Sequence, residues 1–492
     1  MPIPANRLSR FRNWVSLSGM VLAFSALFAF VLLFGVDIYA THANPYMGIL
    51  AYVVAPMFLL TGLAITMLGY VLETRRVRKG LAGDDSHLIL HVNLARKRDR
   101  RMLVAFVGGS LGFLLLTALG SYQTYHMTET NSFCGETCHE SMDPQYQAYK
   151  HSAHARVACV ACHVGPGAGN YIRTKVSGVR QLYHTILGDF NRPIQLHNVD
   201  HRPAQETCQS CHWSQKHTGD LQKTYKHFLT DETNTPFTVA MILKVGGSDP
   251  VMGPVEGIHS HMNVANKIEF IATDDARLNI PWVRVTDPNG KVTEYRTEEF
   301  KDDISKHPIR SMDCMDCHNR PSHKYLTPNA AVDRSLAFGR LDPSVPWIKK
   351  NVVKALVQTY ATREEANQKI EASLRADYPD DERIDALVTE AIAIYTNNFF
   401  PEMKADWRAH PDHIGHKDTP GCFRCHDGLH FASDGETSIK GSDCNACHII
   451  VAQGSGEELQ KVTPGGVTFF HIDSEFEEPI CSECHTGETQ EE

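Results

Sequence analysis

Three runs of uncharged, mostly apolar residues open the chain: Val15–Val36, Ile49–Leu72 and Met102–Tyr122. Each is long enough to cross a hydrocarbon core of about 30 Å as a helix, which needs about 20 residues. The pattern then changes. Lys267–Thr273, Trp282–Thr286 and Lys291–Tyr295 alternate apolar and polar positions as half-buried strands do. Asp287-Pro288-Asn289-Gly290, between the last two, is a hairpin-turn signal. Over residues 345–400 the period becomes helical. Ile348, Val352, Leu356 and Tyr360 recur every four residues, Thr362-Arg363-Glu364-Glu365 reads as a capping box opening a second helix, and a third runs from Glu382 to Asn398. The chain therefore divides into a membrane anchor with three transmembrane helices (1–123), a first outer region (124–227), a β-containing insertion (228–305) and a C-terminal region (306–492).

Charge orients the anchor. Arg7, Arg10 and Arg12 precede the first run, and nine basic residues from Arg75 to Arg101 lie between the second and third, whereas the loop between the first and second has none. The positive-inside rule puts the N-terminus and the basic loop in the cytoplasm. Everything after Tyr122 then faces the far side, the periplasm of a bacterial inner membrane. The first run is longer than the apolar part of a signal peptide and no small-residue cleavage site follows it, so it reads as an uncleaved anchor. The outer part, 124–492, carries 36 basic and 52 acidic residues. That balance disfavours nucleic acid and suits a basic or weakly docking protein partner.

The cysteines supply the chemistry. All 14 fall into seven pairs, each followed at once by histidine. Six are Cys-x-x-Cys-His: Cys159/Cys162/His163, Cys208/Cys211/His212, Cys314/Cys317/His318, Cys422/Cys425/His426, Cys444/Cys447/His448 and Cys481/Cys484/His485. The first, Cys134/Cys138/His139, has one extra residue between the thiols. This is the pattern of haem c attachment: two thioethers hold the porphyrin edge and the histidine ligates iron. A tetrahedral zinc site or a disulfide scaffold gives no reason for a histidine behind every pair. The expectation is seven haem c groups. With roughly one motif per fifty residues, such segments rarely build cores of their own, so the haems should supply much of the interior. The fold class expected is mainly α: three transmembrane helices plus a haem-packed periplasmic multihaem cytochrome c domain with a small β insertion. None of the three apolar runs contains histidine, which argues against membrane-embedded haem b.

Low-spin haem needs a second axial ligand. Seventeen histidines of the outer part lie outside the motifs, and His154, His227, His261, His416, His430 and His471 are the better candidates among them. Met142, three residues past His139, could replace that histidine at the first site, where a thioether would raise the potential.

From residue 131 to about 213 the chain resembles the NapC/NirT family of membrane quinol dehydrogenases. The resemblance is carried by Ser132-Phe133-Cys134, Cys138-His139-Glu140-Ser141-Met142, Tyr149–His154, Cys159–Pro166 and Lys175–Tyr183. The three-helix, seven-haem plan is similar to inner-membrane cytochromes of metal-respiring bacteria. These resemblances imply oxidation of menaquinol from the membrane quinone pool and delivery of electrons to periplasmic c-type cytochromes in anaerobic or extracellular respiration. They also imply that Met142 corresponds to the family's methionine at the first haem, His154 to a distal ligand and Lys175 to the lysine lining the quinol pocket. An acidic residue expected a turn or two after Lys175 is absent: Arg180 and Gln181 stand there, and the next acid is Asp189. The rival reading is a catalytic multihaem reductase acting on nitrite or hydroxylamine; no Cys-x-x-Cys-Lys is present to support it. A third reading makes the chain an anchor and conduit for a separate soluble cytochrome.

Overall fold

The computed structural model describes residues 11, 13–39, 54–79, 95–98, 100–101, 103–105, 107–108, 122, 126–137, 139–194, 204–212, 219–246, 248–249, 253–254, 257–262, 266–441, 443–471 and 481–488. The chain is mainly helical with some sheet, and it forms two compact units. One comprises residues 1–137 and 158–187, the other 138–157 and 188–492.

In the first unit, helices α1 (Trp14–Tyr39) and α2 (Ala55–Arg78) are the two among the described residues that are long and apolar enough to cross a membrane. Most of the third run, Met102–Tyr122, lies outside the described residues. Small residues let α1 and α2 touch backbone to backbone. A Cβ at Gly19 would stand 2.4 Å from the Thr66 nitrogen, and one at Gly62 2.6 Å from the Ala23 nitrogen. Ser16 donates to the Thr66 carbonyl at 3.0 Å, and Thr66 donates to the Gly62 carbonyl at 2.8 Å. Arg75, Arg76 and Arg78 close α2 at its C-terminal end, where cations favour the helix dipole. The unit also holds α3 (Ala168–Leu187).

The second unit has a hydrophobic core of its own, built on the helical stretch that the period over residues 345–400 predicts. Helices α4 (Pro328–Ala337), α5 (Ile348–Leu356), α6 (Arg363–Asp377) and α7 (Ile384–Asn398) pack around Val332, Leu341, Ile348, Val352, Ile370 and Leu374, all fully buried. The physical reason is local: residues 325–407 carry no cysteine, so this stretch has ordinary domain length in which to bury apolar side chains. Thr362 caps α6 through the Glu365 amide at 3.1 Å, while the Glu365 carboxylate accepts from the Ala361 amide at 2.7 Å.

Three antiparallel sheets lie among the described residues of this unit, the smallest pairing Ser248–Asp249 with Gly253–Pro254. Strands β1 (Leu221–Phe228) and β2 (Pro236–Leu243) pair with each other, and β2 also pairs with β8 (His448–Gly454). The second sheet has the order β6-β3-β4-β5-β7, with β3 Lys267–Ile271, β4 Trp282–Thr286, β5 Val292–Arg296, β6 Arg310–Ser311 and β7 Phe431–Ala432. The β4–β5 turn is the Asp287–Gly290 hairpin. Gly290 takes φ +79°, and the Asp287 carboxylate accepts from the amides of Asn289 and Lys291 at 2.8 and 2.9 Å. Strands β1, β6, β7 and β8 come from outside 228–305, so the sheets draw on the haem-motif regions on both sides of the insertion.

Candidate functional site

Each motif is built on one helical turn. Cys314–Cys317 is a four-residue helix with a reciprocal capping box, in which Asp313 accepts from Met315 at 2.8 Å and Asp316 from Asp313 at 2.7 Å. The motif histidine amide then closes on the carbonyl of the first cysteine. This bond is 2.7 Å at His212, 2.8 Å at His318, 3.1 Å at His426 and 2.7 Å at His485, and His448 repeats it onto Cys444. A turn of this kind brings thiols three residues apart to one side, which is what two thioethers on one porphyrin edge require. The widened first motif begins in a π-helical turn, Phe133–Thr137, whose longer loop accommodates the extra residue. Cys138 itself lies outside the described residues.

The two thiols of a pair are not equally covered by the polypeptide. Cys162, Cys211 and Cys484, each the second thiol of its motif, are exposed, whereas their partners Cys159, Cys208 and Cys481 are half-buried. In the fifth and sixth motifs the order is reversed: Cys422 and Cys444 are exposed, and Cys425 and Cys447 are half-buried. Only at Cys314 and Cys317 are both thiols of a fully described motif half-buried. The physical reason is the short turn. It carries its two sulfurs on the flank of a single helical turn, so one packs against the chain and the other is left facing outward. An outward thiol is one that a porphyrin edge can reach from solvent. The polypeptide alone therefore encloses one sulfur of each of these five pairs and leaves the other, Cys162, Cys211, Cys422, Cys444 or Cys484, accessible.

Five motif histidines face a second imidazole. Ring centres are 5.8 Å apart for His212–His154, 6.4 Å for His318–His259, 5.8 Å for His426–His261, 6.1 Å for His448–His416 and 5.9 Å for His485–His471. Metal–imidazole bonds are about 2.0 Å, so two imidazoles on opposite sides of one metal place their ring centres about 6 Å apart. His259 and His261 share one tight turn, the 3₁₀ segment Ile258–Met262, and face the histidines of consecutive motifs. At three residues per turn, positions two apart point in different directions, so one turn can reach two sites. Among the described residues no cluster of three or more His, Cys, Asp or Glu could hold a bare metal ion. The imidazoles that face the motif histidines fit haem.

The remaining candidates are placed differently. His430 is buried, with Nδ1 2.8 Å from the Asp427 carboxylate and Nε2 2.6 Å from the Ile280 carbonyl, so both nitrogens are held by protein oxygens. His227, on β1, has Nδ1 3.1 Å from Asp333 and stacks on Tyr225. Asp333 also accepts from Lys349 at 2.7 Å and from the Phe228 amide at 3.1 Å. Burial alone would raise the Asp333 carboxyl, but His227 and Lys349 together hold it below its usual range. Met142 is half-buried on the helix His139–Lys150.

Neighbouring attachment sites touch. With the cysteines as thiols, Cys134 hydrogen-bonds Cys159, which draws the Cys134 thiol down to about 7; Cys314 does the same with Cys208. Once both are thioethers these sulfurs no longer titrate, and what remains is the proximity of the first site to the second and of the third to the fourth. Asn131 fixes the former pair by accepting from the Cys159 amide at 2.9 Å.

Beside Cys134 and Cys159 stands Glu129, the residue that sequence reasoning missed. Lys175 on α3 forms a 2.9 Å ion pair with Glu129, whose side chain is only 10% exposed. Lys175 also lies over the Tyr171 ring, 5.1 Å from its centre. Burial, then the Glu129 charge, pushes the Tyr171 phenol up to about 12. The charges of Lys175 and Glu129 both reach Cys134. Ile172, Val176, Tyr183 and Leu187 form an exposed apolar stripe along α3, one helical position round from Lys175.

A family profile described as "NapC/NirT cytochrome c family, N-terminal region" matches residues 96–232. The chain is 36% identical to the cytochrome c-type protein ImcH of Geobacter sulfurreducens over 493 aligned positions, which cover 97% of this chain and 96% of that protein. The chain belongs to the NapC/NirT family of c-type cytochromes. A shorter match, 37% identical over 82 residues, links it to the cytochrome c-type protein NrfH of Wolinella succinogenes and covers 16% of this chain and 45% of that one. No solved structure matches. As a NapC/NirT cytochrome it binds haem c covalently and has an electron-transfer role, and α1 and α2 fit membrane anchoring.

Proposed function

We propose that this NapC/NirT cytochrome is an inner-membrane menaquinol dehydrogenase. It has three transmembrane helices, a periplasmic haem region and seven haem c groups, and it delivers electrons to periplasmic c-type cytochromes. Haem supplies one-electron chemistry at iron, with a potential tuned by axial ligands, burial and hydrogen bonds. Fourteen cysteines attach the groups, the exposed Cys162, Cys211 and Cys484 along with their half-buried partners, and His139, His163, His212, His318, His426, His448 and His485 are the motif ligands. The ring pairs support His154, His259, His261, His416 and His471 as second ligands at the third to seventh motifs. At the first motif Met142 is the candidate alternative to His139. His227 stays a candidate ligand, because a carboxylate on Nδ1 fixes the tautomer that presents Nε2. His430, with both nitrogens engaged, is structural.

The single observation that carries the quinol reading is the Lys175–Glu129 pair beside the first two attachment sites. Lys175 donates to a quinol oxygen and stabilises its negative charge, and Glu129 accepts the hydroxyl proton. Glu129 thus fills, from the segment before the first motif, the role for which α3 offers no acid near residues 180–181. The apolar stripe on α3 suits a helix lying against lipid, where a quinol would arrive.

Lys175→Leu and Glu129→Gln test the reading. Both variants are expected to keep full haem content and reduction by dithionite, and to lose reduction by a menaquinol analogue about tenfold or more, the scale of a removed acid–base or charge contact. Unchanged quinol-driven reduction in both would refute it.

A further inference from the structure

Buried polar atoms in folded proteins nearly always have a partner. Three on adjacent side chains of the second unit have none within the protein: Nε of Arg320, the hydroxyl of Tyr325 and Nε2 of His410. Tyr325 is 3% exposed and His410 5%, and their rings lie 5.7 Å apart. Asn319 straps the two segments together, donating to the Pro411 carbonyl at 2.8 Å and accepting from the His413 amide at 2.9 Å. Phe400 packs against the Tyr325 ring at 5.7 Å and holds its tilt. The three side chains are thus pinned, and each can donate a hydrogen bond.

Two acids are close enough for their charge to be felt, Asp412 at Arg320 and Asp143 at Tyr325, but neither hydrogen-bonds the three orphaned atoms. Asp412 is paired with Lys324 at 2.6 Å, and Asp143 accepts from Gln147 at 2.9 Å and pairs with Arg363. A guanidinium, a phenol and an imidazole side by side, each with a donor unmet, suit an anion with two acceptor oxygens, a carboxylate. Arg320 follows His318 by two residues in the fourth motif. The next residue, Pro321, gives its carbonyl to Nδ1 of His154 at 3.1 Å. The cluster therefore adjoins a haem site, and haem carries carboxylates of its own.

We infer that Arg320, Tyr325 and His410 form a carboxylate clamp that holds a propionate of the haem attached at Cys314 and Cys317. This rests on the haem assignment proposed above. The clamp balances the propionate's negative charge. Without it that charge would favour the oxidised, more positive iron, so the three are positioning residues whose effect appears in the haem's reduction equilibrium.

The test uses the full, haem-loaded chain in detergent with Arg320→Gln, Arg320→Lys and Tyr325→Phe. Peptide mass spectrometry of residues 314–318 first establishes loading in each. A spectroscopic redox titration should then show one haem of Arg320→Gln displaced about tenfold toward the oxidised form, equivalent to about 59 mV for one electron, with most of the shift recovered in Arg320→Lys. Tyr325→Phe keeps the shape and removes only the hydroxyl. It should lower the thermal midpoint and displace the same haem about threefold, and it gives the deciding titration should Arg320→Gln fail to load. Titrations that superimpose on the parent overturn the inference, as does a Tyr325→Phe chain whose thermal midpoint is equal or higher, because an orphan hydroxyl is better removed. A shift that appears only with added acetate or chloride identifies a free anion and overturns the propionate assignment. A parent 314–318 peptide without haem overturns both this inference and the seven-haem reading, whereas loaded variants with unmoved potentials overturn this inference alone.

Discussion

His259→Ala separates ligand histidines from structural ones. His259 faces His318 at 6.4 Å, and its neighbour two residues on, His261, faces His426 at 5.8 Å. Truncation to alanine leaves the fourth site with its motif ligand alone and a half-buried gap that water can fill, which weakens the ligand field. With the seven haems proposed above, His259→Ala should convert about one seventh of the iron from low to high spin, and His261→Ala the same fraction. The sites are distinct irons, so the double variant should reach about two sevenths, close to additive. His430→Ala should produce no high-spin iron, since both ring nitrogens already bind protein oxygens. It should instead cost about 1–3 kcal/mol by stranding Asp427 and the Ile280 carbonyl. Electron paramagnetic resonance of the oxidised protein measures the fractions. An unaltered spectrum for His259→Ala, or a high-spin signal from His430→Ala, would refute the ligand assignments.

Lys349→Met, which removes the buried cation between Asp333 and the Phe228 carbonyl, should destabilise the protein by about 3–5 kcal/mol in thermal or denaturant unfolding. His413 is held at about 4 by burial and then by the charge of Arg424, with Arg277 adding to it, against the pull of the Asp316 and Ala276 carbonyls. Its folded value lies below its unfolded one, so the unfolded chain binds the extra proton. Stability from this group is whole above about pH 6.5 and falls by up to about 3 kcal/mol as pH drops toward 4. Unfolding midpoints followed across that range should flatten in His413→Gln.

The sequence pattern located the α5–α7 helices and the β4–β5 hairpin because their signals are local: a four-residue apolar period, Thr362 as a cap, and Asp287–Gly290 as a turn. The motif turns were legible for the same reason, but which thiol of a pair faces outward was not. Cys162, Cys211 and Cys484 are exposed while Cys425 and Cys447, at the same motif position, are half-buried, because the choice depends on which side of the turn the rest of the chain covers. The facing imidazole pairs were only partly legible. His154, His261, His416 and His471 were singled out, but nothing along the chain distinguishes His259 from other surplus histidines until a 3₁₀ turn aims it at His318, 59 residues away in sequence. His430 looked equally eligible until Ile280, on a different segment, took its Nε2. Glu129 was overlooked because the acid was sought on the helix that carries Lys175, whereas the ion pair joins residues 46 positions apart. The core of residues 325–407 was legible in part, because the helical period over 345–400 is local while its burial against Tyr325 and Trp407 is not.

The central claim is direct oxidation of quinol by this chain. Purified protein in detergent, fully haem-loaded and oxidised, is mixed anaerobically with a menaquinol analogue while the haem α-band is recorded. The account predicts reduction of the haem set by the quinol alone, with no other protein present. Haems that stay oxidised under quinol yet reduce fully with dithionite would contradict it, and the chain would then be a conduit fed by a separate quinol-oxidising partner.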